Sequence, residues 1–439
     1  MDISVHRSYQ LAGRTSIELV HDLERALRQG QIGPGERLPP VRRLAEELGL
    51  SPATVASAYR ELARRGVTSG GAGRAGTRVR QRPPVATHAA LPVPPEVRDL
   101  RSGEPDPLLL PERPGVETAR RSYADSPVSP RLRRVAEVNF SADGVDPSHL
   151  AVVGGALDGV ERVLTAWLRP GDKVAVEDPC YSAVLDLVAA MGFEAMPVAV
   201  DELGARPEAL RAALDRGASA AVLTPRAQNP TGAAWDEERA GRLRAELVAH
   251  RDVLVVEDDH AGPVAGAAFY TLAGAPQHWA TVRSVSKWLG PDLRVAVLAG
   301  DEATVAHVEG RQALGTGWVS YLLQDTVAVL WSDPAIEKVL ERATATYAER
   351  RRSLERLLRD AGHPVSSRSG LTTWVAVDDE FGVVSRLMQA GWAVSPGERF
   401  RLASPPAIRV GHATLRPDEA ARFVADLSEV LGRPPQRSA

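Results

Sequence analysis

The sequence predicts a small helical head closed by a two-stranded wing, followed by a larger α/β body built on a mostly parallel sheet. Three observations carry this. Three short helical patterns fill most of the first 66 residues, two β-rich runs flank a glycine-rich turn just after them, and from His149 onward β-rich and helical runs alternate. A chain of 439 residues has the material for two or three such units.

In the head, SIELVHDLERALRQG places Ile17, Val20, Leu23, Ala26 and Leu27 at helical spacing and stops at Gly30. PPVRRLAEELG repeats the pattern with Val41, Leu44, Ala45 and Leu48 before Gly49. The third run opens with Ser51 as N-cap and Pro52 at the first helical position, buries Val55, Tyr59 and Leu62, and closes at Gly66. The tight turn before this third helix makes a helix-turn-helix, and GVTSGGAGRAGTRVR, with Arg74 in its turn, adds a wing. Ala53, Thr54, Ser57 and Arg60 face outward from the third helix, small or polar side chains of the kind that enter a major groove. Gly71, Gly73 and Gly76 also fit a dinucleotide fingerprint, but no strand precedes them in a βαβ unit and no helix follows.

Charge separates head from body. Residues 1–82 hold 14 arginines against 8 acidic residues, a net of +6, while the remainder carries -9. A basic head on an acidic body implies a polyanion at the head and a different task for the body. Between them QRPPVATHAALPVPP has proline and alanine without periodicity, a linker. The expected organisation is a head at 1–80, a linker at 81–98 and a body at 99–435, itself divided into a large part at about 116–318 and a small part at about 319–435.

The body's runs follow in order. LAVVGG leads into ALDGVERVLTAWL, KVAVED into SAVLDLVAAMG, EAMPVAV into RPEALRAALDRG, AAVLTP into DEERAGRLRAELVAH and DVLVVED into a loop, with WATVRSVSK and RVAVLAG completing the series. Such alternation gives a mostly parallel sheet with helices on both faces, whose ligands sit at the carboxyl ends of the strands.

Those ends hold one lysine worth singling out, because the chain has only Lys173, Lys287 and Lys338. Lys287 lies in SVSKWLGPDLR, where Ser284 and Ser286 offer hydroxyls and Arg294 offers a fork for a phosphate. A lysine beside a phosphate cradle suits a Schiff base with pyridoxal 5′-phosphate. That cofactor needs a carboxylate on its ring nitrogen, for which Asp258 is placed; adjacent Asp259 points to the other face of the strand, so only one of the pair meets the ring. Asn229 and His260 are candidate donors to its phenolic oxygen, Tyr181 a stacking face, and the backbone of Ala156 and Leu157 after Gly155 a phosphate site at a helix N-terminus.

A single cysteine, Cys180, allows no internal disulfide, and the ten histidines show no HxxH or HExxH spacing, so no metal site is expected. No apolar leader or spanning stretch stands out, and a cytoplasmic protein with no membrane partner is expected.

Residues 16–80 resemble the winged helix-turn-helix of the GntR family of bacterial regulators, through GERLPPVRRLAEELGLSPATVASAYRELARRG and the G-x-G-T-x-V wing. The resemblance implies that Arg42 and the start of the third helix, from Ser51 onward, touch a double-stranded DNA operator. Pro52 stands where relatives often have arginine, which shifts base readout toward Thr54, Ser57 and the wing. NPTG, EDDH, SVSK with Arg294 seven residues on, and IRVG resemble the fold type I, class I aminotransferases over about residues 99–432. PDPLLLP and the fused head point to the MocR subfamily. By that resemblance Lys287 carries the cofactor, Arg409 binds the carboxylate of an amino acid or amine-type effector, Tyr123 reaches the phosphate in a partner subunit of a homodimer, and the body ends in a smaller α/β domain. His260 replaces the usual tyrosine, and Val295-Ala296-Val297 departs from the pattern after the arginine. A regulator with transaminase-like chemistry at most in part, a working aminotransferase with a secondary head, and a cofactor-free scaffold are the competing functions. The intact lysine constellation speaks against the scaffold and the well-formed head against the plain enzyme.

Overall fold

A computed structural model describes residues 11–432 apart from 30, 34, 65–66, 70–76, 80–92 and 118–120. The expectations at Gly30, Gly66, Arg74, the Gly71-Gly73-Gly76 turn and most of the linker lie outside these residues. The chain forms two compact units; the head's helices belong to the first and the site-bearing strand ends of the body to the second.

In the head, α1 (Ser16–Arg28) starts at Thr15, whose hydroxyl accepts from Glu18 N–H while the Glu18 carboxylate accepts from Thr15 N–H, 3.2 Å each. Leu19, Val20, Leu23 and Ala26 are buried, but Ile17 is 63% exposed. This corrects the expectation for Ile17: two residues turn a helix by about 200°, so with Leu19 facing the core Ile17 faces water. Helix α2 (Val41–Leu48) stops at Gly49, whose φ of 63° is the left-handed cap that glycine adopts without strain. Ser51 Oγ accepts from Thr54 N–H (3.1 Å) and caps α3 (Pro52–Arg64). Val55 and Leu62 are fully buried, and buried Tyr59 donates its hydroxyl to Pro39 O at 2.9 Å. The wing strands β1 (Thr68–Ser69) and β2 (Arg78–Val79) pair antiparallel, Thr68 opposite Val79.

The body begins with β3 (Arg98–Asp99) and α4 (Pro130–Ala142). The alternating series follows: β4 (Leu150–Val153), α5 (Ala156–Trp167), β5 (Lys173–Asp178), α6 (Ser182–Ala190), β6 (Glu194–Asp201), β7 (Gly204–Ala205), α7 (Pro207–Asp215), β8 (Ala218–Leu223), α8 (Glu237–Val248), β9 (Leu254–Asp259), β10 (His278–Ser284) and β11 (Ala296–Gly300). These strands form one sheet in the order β4-β11-β10-β9-β8-β5-β6-β7. Strand β9 runs parallel to β8 and β10, whereas β11 is antiparallel to both β10 and β4. Every residue of β9 is buried, as expected of a strand covered on both faces, so its three terminal acids need internal partners.

Helices α9 (Glu302–Ala313), α10 (Tyr321–Ser332) and α11 (Pro334–Asp360) lead to a smaller part: β12 (Thr372–Ala376), α12 (Glu380–Gln389), β13 (Trp392–Ala393), β14 (Ser395–Pro396), β15 (Ala407–Gly411) and α13 (Pro417–Val430). Its antiparallel sheet has the order β12-β15-β14, and β13 pairs in parallel with β3, the first strand of the body. Leu354, Leu358, Ile408, Val410, Phe423 and Leu427 make its core.

Candidate functional site

The strand ends bring most of the expected residues together. Ser284 at the end of β10 faces Ala296 of β11, and Val285 N–H donates to Val295 O (3.1 Å), which folds the intervening turn back and places Arg294 beside the end of β4. There Arg294 Nη2 donates to Gly154 O (3.1 Å). Gly155 has φ 117°, and a Cβ on it would lie 2.8 Å from Arg294 Nη2. Only glycine leaves this cradle open, directly before the N–H groups of Ala156 and Leu157 that open α5. Ser284 Oγ donates to Ser286 Oγ and accepts from Ser286 N–H, 3.2 Å each.

Lys287 Nζ donates to Gly103 O at 2.8 Å. Burial pulls its pKa down to about 8, with Glu104 and Asp258 resisting and Arg409 assisting. Asp258 is 5% exposed, and its Oδ1 has no hydrogen-bond partner among the described residues. Burial, with neighbouring Asp259 adding, pushes its pKa up to about 7 against the pull of Lys287. The alternation expected of the pair holds: Asp259 faces Arg226 and Arg283 instead. His260 Nδ1 lies 4.0 Å from Asp258 Oδ2, and burial, then the Lys287 charge, drives its pKa down to about 4, so the imidazole is neutral at neutral pH. Tyr181 is half-exposed; burial raises its pKa, Arg409 and Arg294 lower it, and Asp258 and Glu104 add to the rise.

Arg409 on β15 is 7% exposed, with its guanidinium 4.4 Å from the Phe400 ring centroid. Its Nη1 donates to Asn229 Oδ1 (3.1 Å) and its Nη2 to Arg101 O, while its Nε has no partner among the described residues. Burial lowers its pKa to about 10, which leaves it charged. Carbonyls of one segment, Arg101 and Gly103, thus meet both Arg409 and Lys287. Tyr123 is not brought to this cluster; it is 93% exposed and packs edge-on against Trp318 at 5.4 Å.

The head offers a second surface. Arg42, Ser51, Ala53 and Arg60 are exposed, and Thr54 and Ser57 are half-buried. Ser51 Oγ and Thr54 Oγ1 are 2.8 Å apart, so one of these hydroxyls donates to the other while Ser51 caps the helix.

Residues 117–427 match the family described as aminotransferase class I and II, and residues 15–79 match the bacterial regulatory proteins of the gntR family. The chain belongs to the aminotransferase class I and II family, joined to a gntR head. Its arrangement is shared by PtsJ of Salmonella typhimurium, the vitamin B6 salvage pathway transcriptional repressor, which is 38% identical over 96% of this chain and 99% of that one. PdxR of Corynebacterium glutamicum, an HTH-type pyridoxine biosynthesis transcriptional regulator, is 31% identical over 55% of each chain. Among solved structures, an archaeal alanine:glyoxylate aminotransferase superposes with a TM-score of 0.68 at 20% identity, covering 76% of this chain and 91% of its own. Such a likeness concerns the body's fold.

The aminotransferase-family body has a site that fits pyridoxal 5′-phosphate. Asp258 Oδ1 is a buried acceptor lacking a donor, which the protonated ring nitrogen is. The open Gly155 turn, Arg294 and the start of α5 supply the donors a phosphate requires, with Lys287 as the amine.

Several bonds around this family's site were not anticipated. Asp178 accepts from the N–H groups of Leu402, Ala403 and Ser404, each at 2.8 Å, and Cys180 N–H donates to Phe400 O at 2.7 Å. These bonds clamp the segment that brings Phe400 to Arg409. Gln228 donates to Pro179 O (2.7 Å) and Glu177 Oε2 (3.2 Å). The only signals in the sequence were polar residues within otherwise apolar strand ends.

Glu177 is 1% exposed, and burial raises its pKa from 4.5 to about 8 despite hydrogen bonds from Thr224 and Gln228. A carboxyl whose folded pKa exceeds its unfolded value stabilises the fold less as pH climbs between the two values. At about 1.4 kcal/mol per pH unit the loss reaches up to about 5 kcal/mol. Glu177→Gln escapes it, so its unfolding free energy should gain on that of the parent between about pH 5 and pH 8.5 in urea titrations. Parallel pH profiles for the two proteins would contradict the assignment.

Proposed function

We propose that this protein is a repressor of vitamin B6 supply genes, acting in the cytoplasm as a homodimer, with pyridoxal 5′-phosphate in the body and an amino compound as its second signal. The observation that carries the reading is the extent of the PtsJ match, which runs through head and body together. An enzyme without a head matches the body alone, as the archaeal aminotransferase does, so transamination as the principal activity is not favoured. Support for a dimer comes from exposed Leu314, Leu322 and Tyr123, the last continuing through Trp318 to Tyr321 in a chain of aromatic contacts.

In this reading Lys287 is the covalent anchor, with a lowered pKa that makes its amine available near neutral pH. Asp258 holds the ring nitrogen and its proton, Tyr181 covers one ring face, and Asn229 and His260 donate to the phenolic oxygen. Arg294, Ser284, Ser286 and the backbone of Gly155, Ala156 and Leu157 bind the phosphate, with Tyr123 contributing from the partner subunit. Bound there, the cofactor supplies an electron sink for amines. Arg409 takes the carboxylate of the incoming amino compound, and its contacts from the small part make that ligand favour one arrangement of the body over another.

The test is operator binding, measured by fluorescence anisotropy on the promoters of vitamin B6 genes with and without pyridoxal 5′-phosphate and a panel of amino acids. Affinity that depends on cofactor and on amino compound supports the reading. Arg409→Ala should keep cofactor content and basal DNA binding while losing the amino-compound response. DNA binding blind to the cofactor, with sustained multiple-turnover transamination, would establish the enzyme instead.

A further inference from the structure

The opposite face of β9 from Asp258 carries a cluster of buried charges that the site as described does not use. Asp259 Oδ1 accepts from Arg226 Nε at 2.8 Å, and its Oδ2 accepts from Arg226 Nη2 at 3.0 Å and Arg283 Nε at 2.6 Å. The side chains of Asp259, Arg283 and Arg226 are 0%, 3% and 9% exposed. Phe269 lies under both guanidiniums, 5.1 Å from Arg226 and 5.0 Å from Arg283, and Phe140 lies 4.7 Å from Arg283. Burial opposes ionisation of Asp259, yet the two arginines hold its carboxyl well below the usual carboxylate range.

The sequence positions of these three residues give the cluster its meaning. Arg226 precedes Asn229 by three residues, Asp259 adjoins Asp258, and Arg283 precedes Lys287 by four. Each member therefore lies within four residues of one assigned to the cofactor, on three neighbouring strand ends. Between β9 and β10 the ladder itself sets Asp259 opposite Arg283. Between β8 and β9 it stops at Leu223 opposite Glu257. Beyond that point sheet hydrogen bonds no longer hold the 224–229 loop to β9, and the Arg226 fork takes over. The loop needs holding, since Ala227, next to Arg226, has φ 54°, a left-handed conformation costly for a residue with a Cβ.

We propose that Asp259 is a positioning hub that, through Arg226 and Arg283, fixes the depth and rotation of the strand ends delivering Asn229, Asp258 and Lys287 to the cofactor. Apolar packing alone lets strand ends slide and tilt; a bidentate fork and a third charged bond have fixed directions. The proposal rests on the cofactor site assigned above.

Removing one member alone strands a buried charge, whereas replacing Arg226, Asp259 and Arg283 together with apolar side chains of similar size spares the fold, since Asp143, the other partner of Arg283 (Nη2 to Oδ2, 2.6 Å), is 30% exposed and reaches water. The test is therefore the triple variant Arg226→Met, Asp259→Leu, Arg283→Met, together with Arg226→Lys, which keeps the charge and loses the fork. Pyridoxal 5′-phosphate is titrated into each full-length protein, and the dissociation constant and the circular dichroism of the bound cofactor at saturation are read. The triple variant should melt cooperatively and bind about 10-fold to 100-fold more weakly, by analogy with the loss when groups that orient a metal's ligands are removed. Its dichroism per bound cofactor should be diminished, which lost packing elsewhere does not produce. Arg226→Lys should show the same changes to a smaller degree, and it decides the matter if the triple variant does not fold. Parental affinity and dichroism in the folded variants would overturn the hub while leaving the cofactor site intact. A parent protein that takes up no pyridoxal 5′-phosphate would overturn both.

Discussion

Lys287→Ala is expected to leave the purified protein colourless, where the parent is yellow and keeps its cofactor through gel filtration. A lysine-bound cofactor absorbs in the visible, and the chain has only two other amines of this kind. Lys173 opens β5 and Lys338 is exposed on α11, whereas Lys287 stands next to the Gly155–Arg294 cradle. Its pKa of about 8 leaves about a tenth of the amine unprotonated at pH 7, where an ordinary lysine offers well under a thousandth. The band should vanish entirely in the variant while far-ultraviolet circular dichroism stays unchanged. Reduction of the parent with borohydride should leave the cofactor on the peptide spanning Lys287. A visible band persisting in Lys287→Ala would move the attachment elsewhere.

Operator binding is expected to collapse with salt. If Arg42, Arg60 and Arg74 each meet a phosphate in both heads of a dimer, six counterions are released, and the logarithm of affinity falls with a slope of about -5 against the logarithm of salt. Between 50 and 200 mM salt that is a loss of about 10³-fold. Arg42→Ala should weaken binding by about 1–3 kcal/mol and make the slope shallower by about two, one phosphate per head. A slope near zero, or one unchanged in Arg42→Ala, would take the arginines away from the DNA.

Much of this architecture is legible in the sequence because it depends on local pattern. The apolar runs of β4, β8 and β9 and the amphipathic helices between them come through, as does Ser51 at the start of α3. Asp258 was separable from Asp259 because alternation along a strand is a local rule. The partners were not: Arg226 and Arg283 reach Asp259 across 33 and 24 residues, and nothing in either segment names the other. The same holds for Gly103 and Arg101, which meet Lys287 and Arg409 across 184 and 308 residues, and for Asp178 closing on residues 402–404. Ile17 was misplaced because both it and Leu19 are apolar within one turn of α1, and only the position of α3 decides which faces inward.

The parallel pairing of β3 with β13 has a consequence for biogenesis. Arg98, just past the linker, donates to Thr414 O at 2.7 Å across 316 residues and to Glu419 Oε1 at 3.1 Å across 321. As the ribosome extends the chain from the N-terminus, the head's three helices are complete at residue 64, but this clasp waits for residues 414 and 419. A nascent or prematurely terminated product would thus carry a finished operator-reading module on a body whose first strand has nothing to close upon. On the proposed function, fragments lacking residues beyond about 390 should bind DNA with the response to cofactor and amino compound lost.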